Sequence, residues 1–406
     1  MGKVLRGLSA NLEKVEALVA TGMPGAYKVL IFFVIQKIHG LSELGNLATY
    51  QSVAQIFGYF TAIGWCSLIL VRVPKEEARK KRLIIFNELL LMASFTLAAL
   101  MILLFAVSLV LGFVGTAVEI VFWMGAWTYY QIPRHYFVSQ KRYRSALVLD
   151  VLVILGSLLI CYISESVALS RSLAGFMFVS GVGATLALQD KKPSWPKRLF
   201  FDSKGLEYGM VNLLTGGIIL SLVPLASTLE GEDFAGALSM FIALTGVALL
   251  IPRAVSINLM PELAKNSSNK YFLKLSIYKM QRQISISNIF TTAFCVAVAV
   301  FIAMAASQSN SKMEALFVFL LIILQGSLGI QSLTYFNALM VQEKSRELLK
   351  LNAISFSIFV VTVCLLSLLE TEFAMNGISF TLVLLSAYRF FGAKSLALGD
   401  QRVILK

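Results

Sequence analysis

Runs of about twenty consecutive apolar residues recur along most of this chain, and each is long enough to cross the roughly 30 Å hydrocarbon core of a bilayer as one helix. The 406 residues are 58% hydrophobic and only 14% charged, against about 25% charged in soluble domains. One soluble core could not hide that much apolar surface. A membrane β-barrel would show alternating segments of about ten residues, whereas these runs are continuous. The pattern predicts an all-α polytopic membrane protein with about 12 transmembrane helices, near residues 16–37, 46–71, 84–111, 116–133, 145–163, 170–189, 206–228, 235–255, 283–306, 315–341, 351–368 and 376–393.

Orientation follows from the loops. One set carries Arg72, Lys75, Arg79, Lys80, Lys81 and Arg82, then Arg134, Lys141, Arg142 and Arg144, then Lys191, Lys192, Lys197, Arg198 and Lys204. It continues with Lys265, Lys270, Lys274, Lys279 and Arg282, with Lys344, Arg346 and Lys350, and with Lys394, Arg402 and Lys406. The opposite loops are short, poor in basic residues, and acidic at Glu230, Glu232, Asp233, Glu370 and Glu372. Positive-inside asymmetry places the basic set and both termini in the cytoplasm. Residues 1–16 read as a short amphipathic cytoplasmic start without a cleavage site. Residues 256–282 form the longest polar stretch and predict an interfacial amphipathic helix.

The net charge of +13 is explained by this topology signal, so no nucleic acid partner is inferred. Two distant histidines, His39 and His135, and four scattered cysteines, Cys66, Cys161, Cys295 and Cys364, suggest no metal site and no disulfide framework. No phosphate-binding glycine loop, no HExxH and no Ser-His-Asp set is present, so neither a cofactor nor ATP hydrolysis is expected.

A short repeat ties the two halves together. Gly45-Asn46-Leu47-Ala48-Thr49-Tyr50 opens the second span and Gly236-Ala237-Leu238-Ser239-Met240-Phe241 opens the eighth; Glu43-Leu44 and Asp233-Phe234 stand just ahead of them. Both copies enter the membrane in the same direction, which suggests two parallel six-helix lobes, residues 1–200 and 201–406, around a central cavity. A shared helix-start signature is the alternative.

The stretch Ile38-His39-Gly40-Leu41-Ser42-Glu43-Leu44-Gly45-Asn46-Leu47-Ala48-Thr49-Tyr50 resembles the first loop of the polysaccharide flippases of the multidrug/oligosaccharidyl-lipid/polysaccharide (MOP) superfamily, with Leu44 where an aromatic residue is usual. Leu68-Ile69-Leu70-Val71-Arg72 resembles the family's apolar-Val-Arg ending, and Phe234 to Lys265, with Pro261-Glu262-Leu263-Ala264-Lys265, resembles the opening of its second half. The resemblance implies a Wzx-like O-antigen flippase of the bacterial inner membrane. Such proteins carry undecaprenyl-diphosphate-linked repeat units to the periplasmic face by alternating access.

A carrier of that cargo needs cations for the phosphates and hydrogen-bonding side chains for the sugars. Lys28, near mid-membrane in the first span with Pro24 one turn before it, is the leading substrate-binding candidate; a lysine that tilts to an interface or pairs with an acid is the alternative. Arg72, Arg253 and Arg389 end spans two, eight and twelve; Arg72 and Arg253, as repeat equivalents, could grip a diphosphate, or all three could be topological anchors. Gln51 and Gln55 share one helix face, and Asn212 lies in span seven; each could line a wet path or make interhelical hydrogen bonds. Gln325, Gln331, Tyr335 and Asn337 raise the same choice in span ten. Among Glu88, Glu119, Asp150 and Glu207, a local salt bridge or interfacial exposure explains the first three, and Glu207 is the candidate for coupling to a proton or sodium ion. Trp123, Trp127, Tyr129 and Tyr130 read as interfacial anchors, with stacking on a sugar as the alternative. Gly216, Gly217 and Pro224 mark a bend or a close packing site in span seven. The partners expected are the lipid-linked oligosaccharide and bilayer lipid. A drug or cation exporter of the same superfamily is the competing reading, and a glycan polymerase or ligase would need a large external loop that this chain lacks.

Overall fold

The computed structural model describes residues 2–189, 202–248, 250–266, 269–305, 310–342, 344–369 and 374–399. Lys191, Lys192, Lys197, Arg198, Glu370, Glu372, Arg402 and Lys406 lie outside the described residues. Among those described, every regular element is helical. The first half runs α1 (Gly2–His39), α2 (Leu41–Gly58), a π turn (Tyr59–Ile63), α3 (Gly64–Arg72), α4 (Arg79–Leu111), α5 (Val114–Ser139), α6 (Tyr143–Ile163) and α7 (Ser166–Leu188). Then follow α8 (Lys204–Asn212), a second π turn (Leu213–Gly217), α9 (Ile218–Leu229), α10 (Glu232–Ala248), α11 (Leu250–Lys265), α12 (Lys270–Ala305), α13 (Asn310–Val341), α14 (Ser345–Leu368) and α15 (Ala374–Leu398). α2 and α3 run on as one span through their π turn, as do α8 and α9.

Among the described residues, ten helical stretches are long and apolar enough to cross a membrane. α5 and α12, expected as spans four and nine, are long enough at 26 and 36 residues but are not among the ten. In α5 the reason is polar content, since it carries Glu119, Gln131 and Arg134; α12 opens on the polar run Lys270 to Arg282 and continues into an uncharged apolar run. The stretch 256–282 is the end of α11 and the start of α12, broken at Asn266–Asn269.

One boundary needs correction. The fourth span does not stop at Pro133; α5 carries that proline inside and continues to Ser139. Arg134 is therefore a buried helical residue, not a loop residue. A proline within a membrane helix is tolerated when neighbours satisfy the carbonyl it leaves without a donor.

The repeat gains a residue from the backbone. Gly40 (φ 92°) and Gly231 (φ 91°) both stand in the left-handed region immediately before α2 and α10. Gly45 and Gly236 follow them at equal spacing, and both repeat segments are buried at the same positions: Leu47 with Leu238, and Ala48 with Ser239. Only glycine takes that φ without strain, so the turn dictates the first glycine and helix packing the second. Counted from these turns, Arg253 lies about ten residues, or roughly 15 Å of helix, nearer its glycine than Arg72 does. The two arginines are not register equivalents.

The chain divides into two compact units, Met1–Pro224 and Leu225–Lys406. The first is centred on Trp65, Phe86, Ile132 and Tyr136, with Phe86 and Tyr136 ring centroids 4.7 Å apart. Within it, α8 packs on α3 at backbone distance. A Cβ on Gly64 would lie 2.0 Å from the Gly205 carbonyl oxygen, one on Gly205 2.5 Å from the Trp65 ring, and one on Gly209 2.6 Å from the Tyr59 carbonyl. Gly205 and Gly209, four residues apart, form the small-xxx-small stripe that lets membrane helices approach closely. Gly216 belongs to the same contact, since a Cβ there would meet the Tyr59 hydroxyl at 2.4 Å.

The first π turn sits beside this seam. It disturbs the regular backbone ladder, and the Phe60 carbonyl within it accepts from Trp65 Nε1 at 2.8 Å. In the second unit α13 is the hub. Phe319 stacks on Phe241 of α10 at 4.3 Å. Gln331 accepts from Gln281 and Ser285 of α12, Gln325 donates to Ser386 of α15, and Asn337 donates to Ser256 of α11. The span-ten polar residues therefore bind helices to one another.

Gly64→Ala should lower the thermal unfolding midpoint of the purified protein, with a penalty of about 1–3 kcal/mol from overpacking. Gly175→Ala, inside α7 with nothing within 4 Å of its added Cβ, should not lower that midpoint, since alanine is the better helix former.

Candidate functional site

The site begins with a missing hydrogen-bond donor. Pro24 lies inside α1 and has no N–H to offer the carbonyl of Ala20, four residues earlier. That carbonyl is buried, and an Arg134 Nη2–H of α5 donates to it. Arg134 is itself oriented by Asp150 of α6, its Nε donating to the two carboxylate oxygens at 3.0 and 3.2 Å. The Tyr130 hydroxyl donates to the same carboxylate at 2.6 Å. Both charged groups are almost fully enclosed, Arg134 at 6% exposure and Asp150 at 2%. The cluster pins α1 to α5 and α6 where its own hydrogen-bond ladder is broken. Asp150 thus makes the salt bridge expected of it, with a partner that the sequence had assigned to a loop. Glu119 is likewise paired, with Arg171 at 2.6 Å.

Lys28 stands one turn beyond Pro24. Its Nζ donates to Gln55 Oε1 of α2 at 2.7 Å. An ammonium only donates, so it selects the carbonyl end of the amide and turns the Gln55 Nε2 away. That Nε2 is buried without a partner, and so is Gln51 Oε1 one turn along the same face. Gly58 continues the face, and Trp127 of α5 sits against it: a Cβ on Gly58 would lie 2.6 Å from the indole Cδ1 and 2.9 Å from Nε1. The Trp127 Nε1 is also buried and unpartnered. Lys28 and Trp127 are half-buried, whereas Gln51 and Gln55 lie beneath at 2% and 5% exposure.

The remaining aromatic residues of α5 are not interfacial anchors. Trp123 is buried and donates to Ser170, Tyr129 bonds Ser94, and Tyr130 holds Asp150. Each spends its polar tip inside the bundle; Trp127 is the exception among them.

The other predicted positions lie apart from this cluster. Arg72, at the end of α3, is bonded to Asp202, whose other oxygen accepts the Lys204 N–H at the start of α8. The guanidinium holds the Asp202 carboxyl below the usual carboxylate range, with help from that N–H. This contact is present above the ordinary carboxylate pKa and is lost only as pH falls through the lowered one. Glu207 is exposed in the first turn of α8 and accepts from Ser203 at 3.3 Å. Asn212 donates back to the Tyr208 carbonyl of its own helix. In the second unit Arg253 is exposed on α11 and Arg389 half-buried on α15.

No protein family matches the sequence, and neither does any curated protein. Solved structures do match. A multidrug resistance MATE family transporter of the MOP superfamily, in its inward-facing conformation, aligns with a TM-score of 0.62 at 11% identity, over 97% of this chain and 95% of its own. The eukaryotic MATE transporter AtDTX14 aligns at 0.64 and 11% identity, over 98% and 96%. The lipid II flippase MurJ, in an inward closed conformation, aligns at 0.68 and 11% identity, over 95% and 88%. The chain therefore has the fold of these transporters, and its ten apolar helices make it a multi-pass membrane protein.

Removing one partner of the buried pair should be severe. Arg134→Leu alone should cost about 3–5 kcal/mol by stranding the Asp150 carboxylate, seen as loss of folded protein on size-exclusion chromatography. Arg134→Leu with Asp150→Leu should recover much of it. Adding Pro24→Ala, which gives the Ala20 carbonyl an N–H again, should recover more.

Proposed function

We propose that this protein is a flippase that moves an undecaprenyl-diphosphate-linked oligosaccharide from the cytoplasmic to the periplasmic leaflet by alternating access. The observation that carries the reading is the state of Lys28. It stands about midway along the apolar stretch Val15–His39, and among the described residues it meets a neutral amide and no carboxylate. A charge at that depth is expensive in hydrocarbon. A phosphate oxygen supplies the missing counter-charge, and a charge-assisted hydrogen bond of this kind contributes about 1.5–3 kcal/mol.

In this reading Gln51 and Gln55 face the cargo beside Lys28, with Asn212 further along the path. Arg72, Arg253 and Arg389 attract the anionic headgroup, and Glu207 is the carboxylate available to couple transport to a proton or sodium ion. The chain crosses the bacterial inner membrane twelve times, α5 and α12 included, with both termini in the cytoplasm, and bilayer lipid surrounds it. Export of drugs or cations is the competing reading, favoured by the likeness to MATE transporters. Lys28 argues against it, because a cationic cargo would meet like charge.

Lys28→Ala should leave membrane insertion intact and reduce surface glycan, with binding of the lipid-linked unit weakened tenfold or more, a loss of ~1.4 kcal/mol or above. Lys28→Arg should retain part of the function. Normal surface polysaccharide in cells carrying Lys28→Ala would sink the diphosphate role. Deleting the gene should leave lipid-linked units facing the cytoplasm, whereas unpolymerised units reaching the periplasm would indicate a polymerase. A reporter fused to either terminus should be active only in the cytoplasm.

A further inference from the structure

We propose that Trp127, Gln51 and Gln55 form a subsite for a sugar ring, separate in chemistry from the Lys28 contact; this deepens the transport reading and rests on it. Three unpartnered polar atoms lie on or against one face of α2: Gln51 Oε1, Gln55 Nε2 and Trp127 Nε1. Leaving such an atom buried and unbonded costs about 1–3 kcal/mol, and three associated with one helix face ask for a polar partner.

The mixture of roles identifies its class. The indole N–H and the amide NH2 donate, whereas Gln51 Oε1 only accepts. A phosphate ester carries acceptors alone at neutral pH and leaves Gln51 unsatisfied. An aromatic cation without N–H or O–H groups satisfies none of the three. Sugar hydroxyls donate and accept, so one polyhydroxyl ring can meet all three atoms. Gly58 has no Cβ where the Cδ1–Nε1 edge of Trp127 lies against α2, which brings the indole onto the face that carries the two amides. Lys28, bonded to Gln55 at 2.7 Å, places the anion contact next to this face. That geometry fits the first sugar of a glycan joined to a diphosphate.

The test uses the full-length protein in lipid nanodiscs with two probes. One is bare undecaprenyl diphosphate; the other is the lipid-linked oligosaccharide purified from cells that lack this protein. The wild type should bind the sugar-bearing lipid more tightly than the bare one. Trp127→Phe, which keeps an aromatic ring but removes the N–H, and Gln51→Leu should each reduce that preference by on the order of tenfold. Trp127→Phe should bind the bare lipid as the wild type does, which also shows that it folds. Lys28→Ala should weaken binding of both probes. A wild type that binds both lipids equally, or variants that keep the full preference, would overturn the subsite alone. A wild type that binds neither lipid would overturn the flippase reading and the subsite with it.

Discussion

Much of the first unit follows from one demand: inside hydrocarbon, every buried polar group must find its partner within the protein. Pro24 breaks that rule locally by withdrawing a donor from the Ala20 carbonyl, and the Arg134 guanidinium restores it from a neighbouring helix. An arginine there needs a counter-charge, so Asp150 is buried beside it, and Tyr130 meets the carboxylate in turn. Three helices are thus tied together by the consequences of a single proline. Lys28, the residue with the strongest claim to cargo, stands one turn beyond this knot on the same helix.

The two units use their polar side chains differently. In the second, the amides of α12 and α13 reach across to one another and to α11 and α15, so that α13 works as a hydrogen-bonded spine. Such bonds average about 0.6 kcal/mol each in membranes, enough to set helix register. In the first unit the Gln55 amide of α2 meets a lysine, and Gln51 Oε1 and Gln55 Nε2 are left without a partner, as Gln281 Oε1 and Asn288 Oδ1 of α12 also are. The glycine turns at Gly40 and Gly231 give α2 and α10 the same opening. The repeat does not extend to the site, because the positions matching Gln51 and Gln55 in the second copy are Ile242 and Gly246.

Reading polarity along a single helix separates site from scaffold poorly. Gln51 with Gln55 and Gln325 with Gln331 look alike in sequence. Their partners differ, and those partners come from helices far away in the chain. Arg134 shows the same limit in reverse. Set among loop lysines and arginines, it reads as a topological anchor, yet α5 continues through Pro133 and buries it. The signal available in sequence was the pair Pro24 and Pro133, each removing a backbone donor from a membrane helix. Trp127 was equally hidden among the aromatic residues of α5, because what distinguishes it is the absence of a partner for its N–H, not its identity.

The sequence alone determined that this chain is a bundle of membrane helices with a repeated opening to α2 and α10. Hydrophobic run length and the conformational freedom of glycine are local properties, readable one segment at a time. It also put a cation at mid-depth in α1, since helical rise converts residue number into depth. Only the tertiary structure decided which charges are neutralised and which amides are spent. Those outcomes depend on contacts between residues more than a hundred positions apart, as between Ala20 and Arg134, and the energy of a polar group in hydrocarbon is set almost entirely by what stands within hydrogen-bond reach of it.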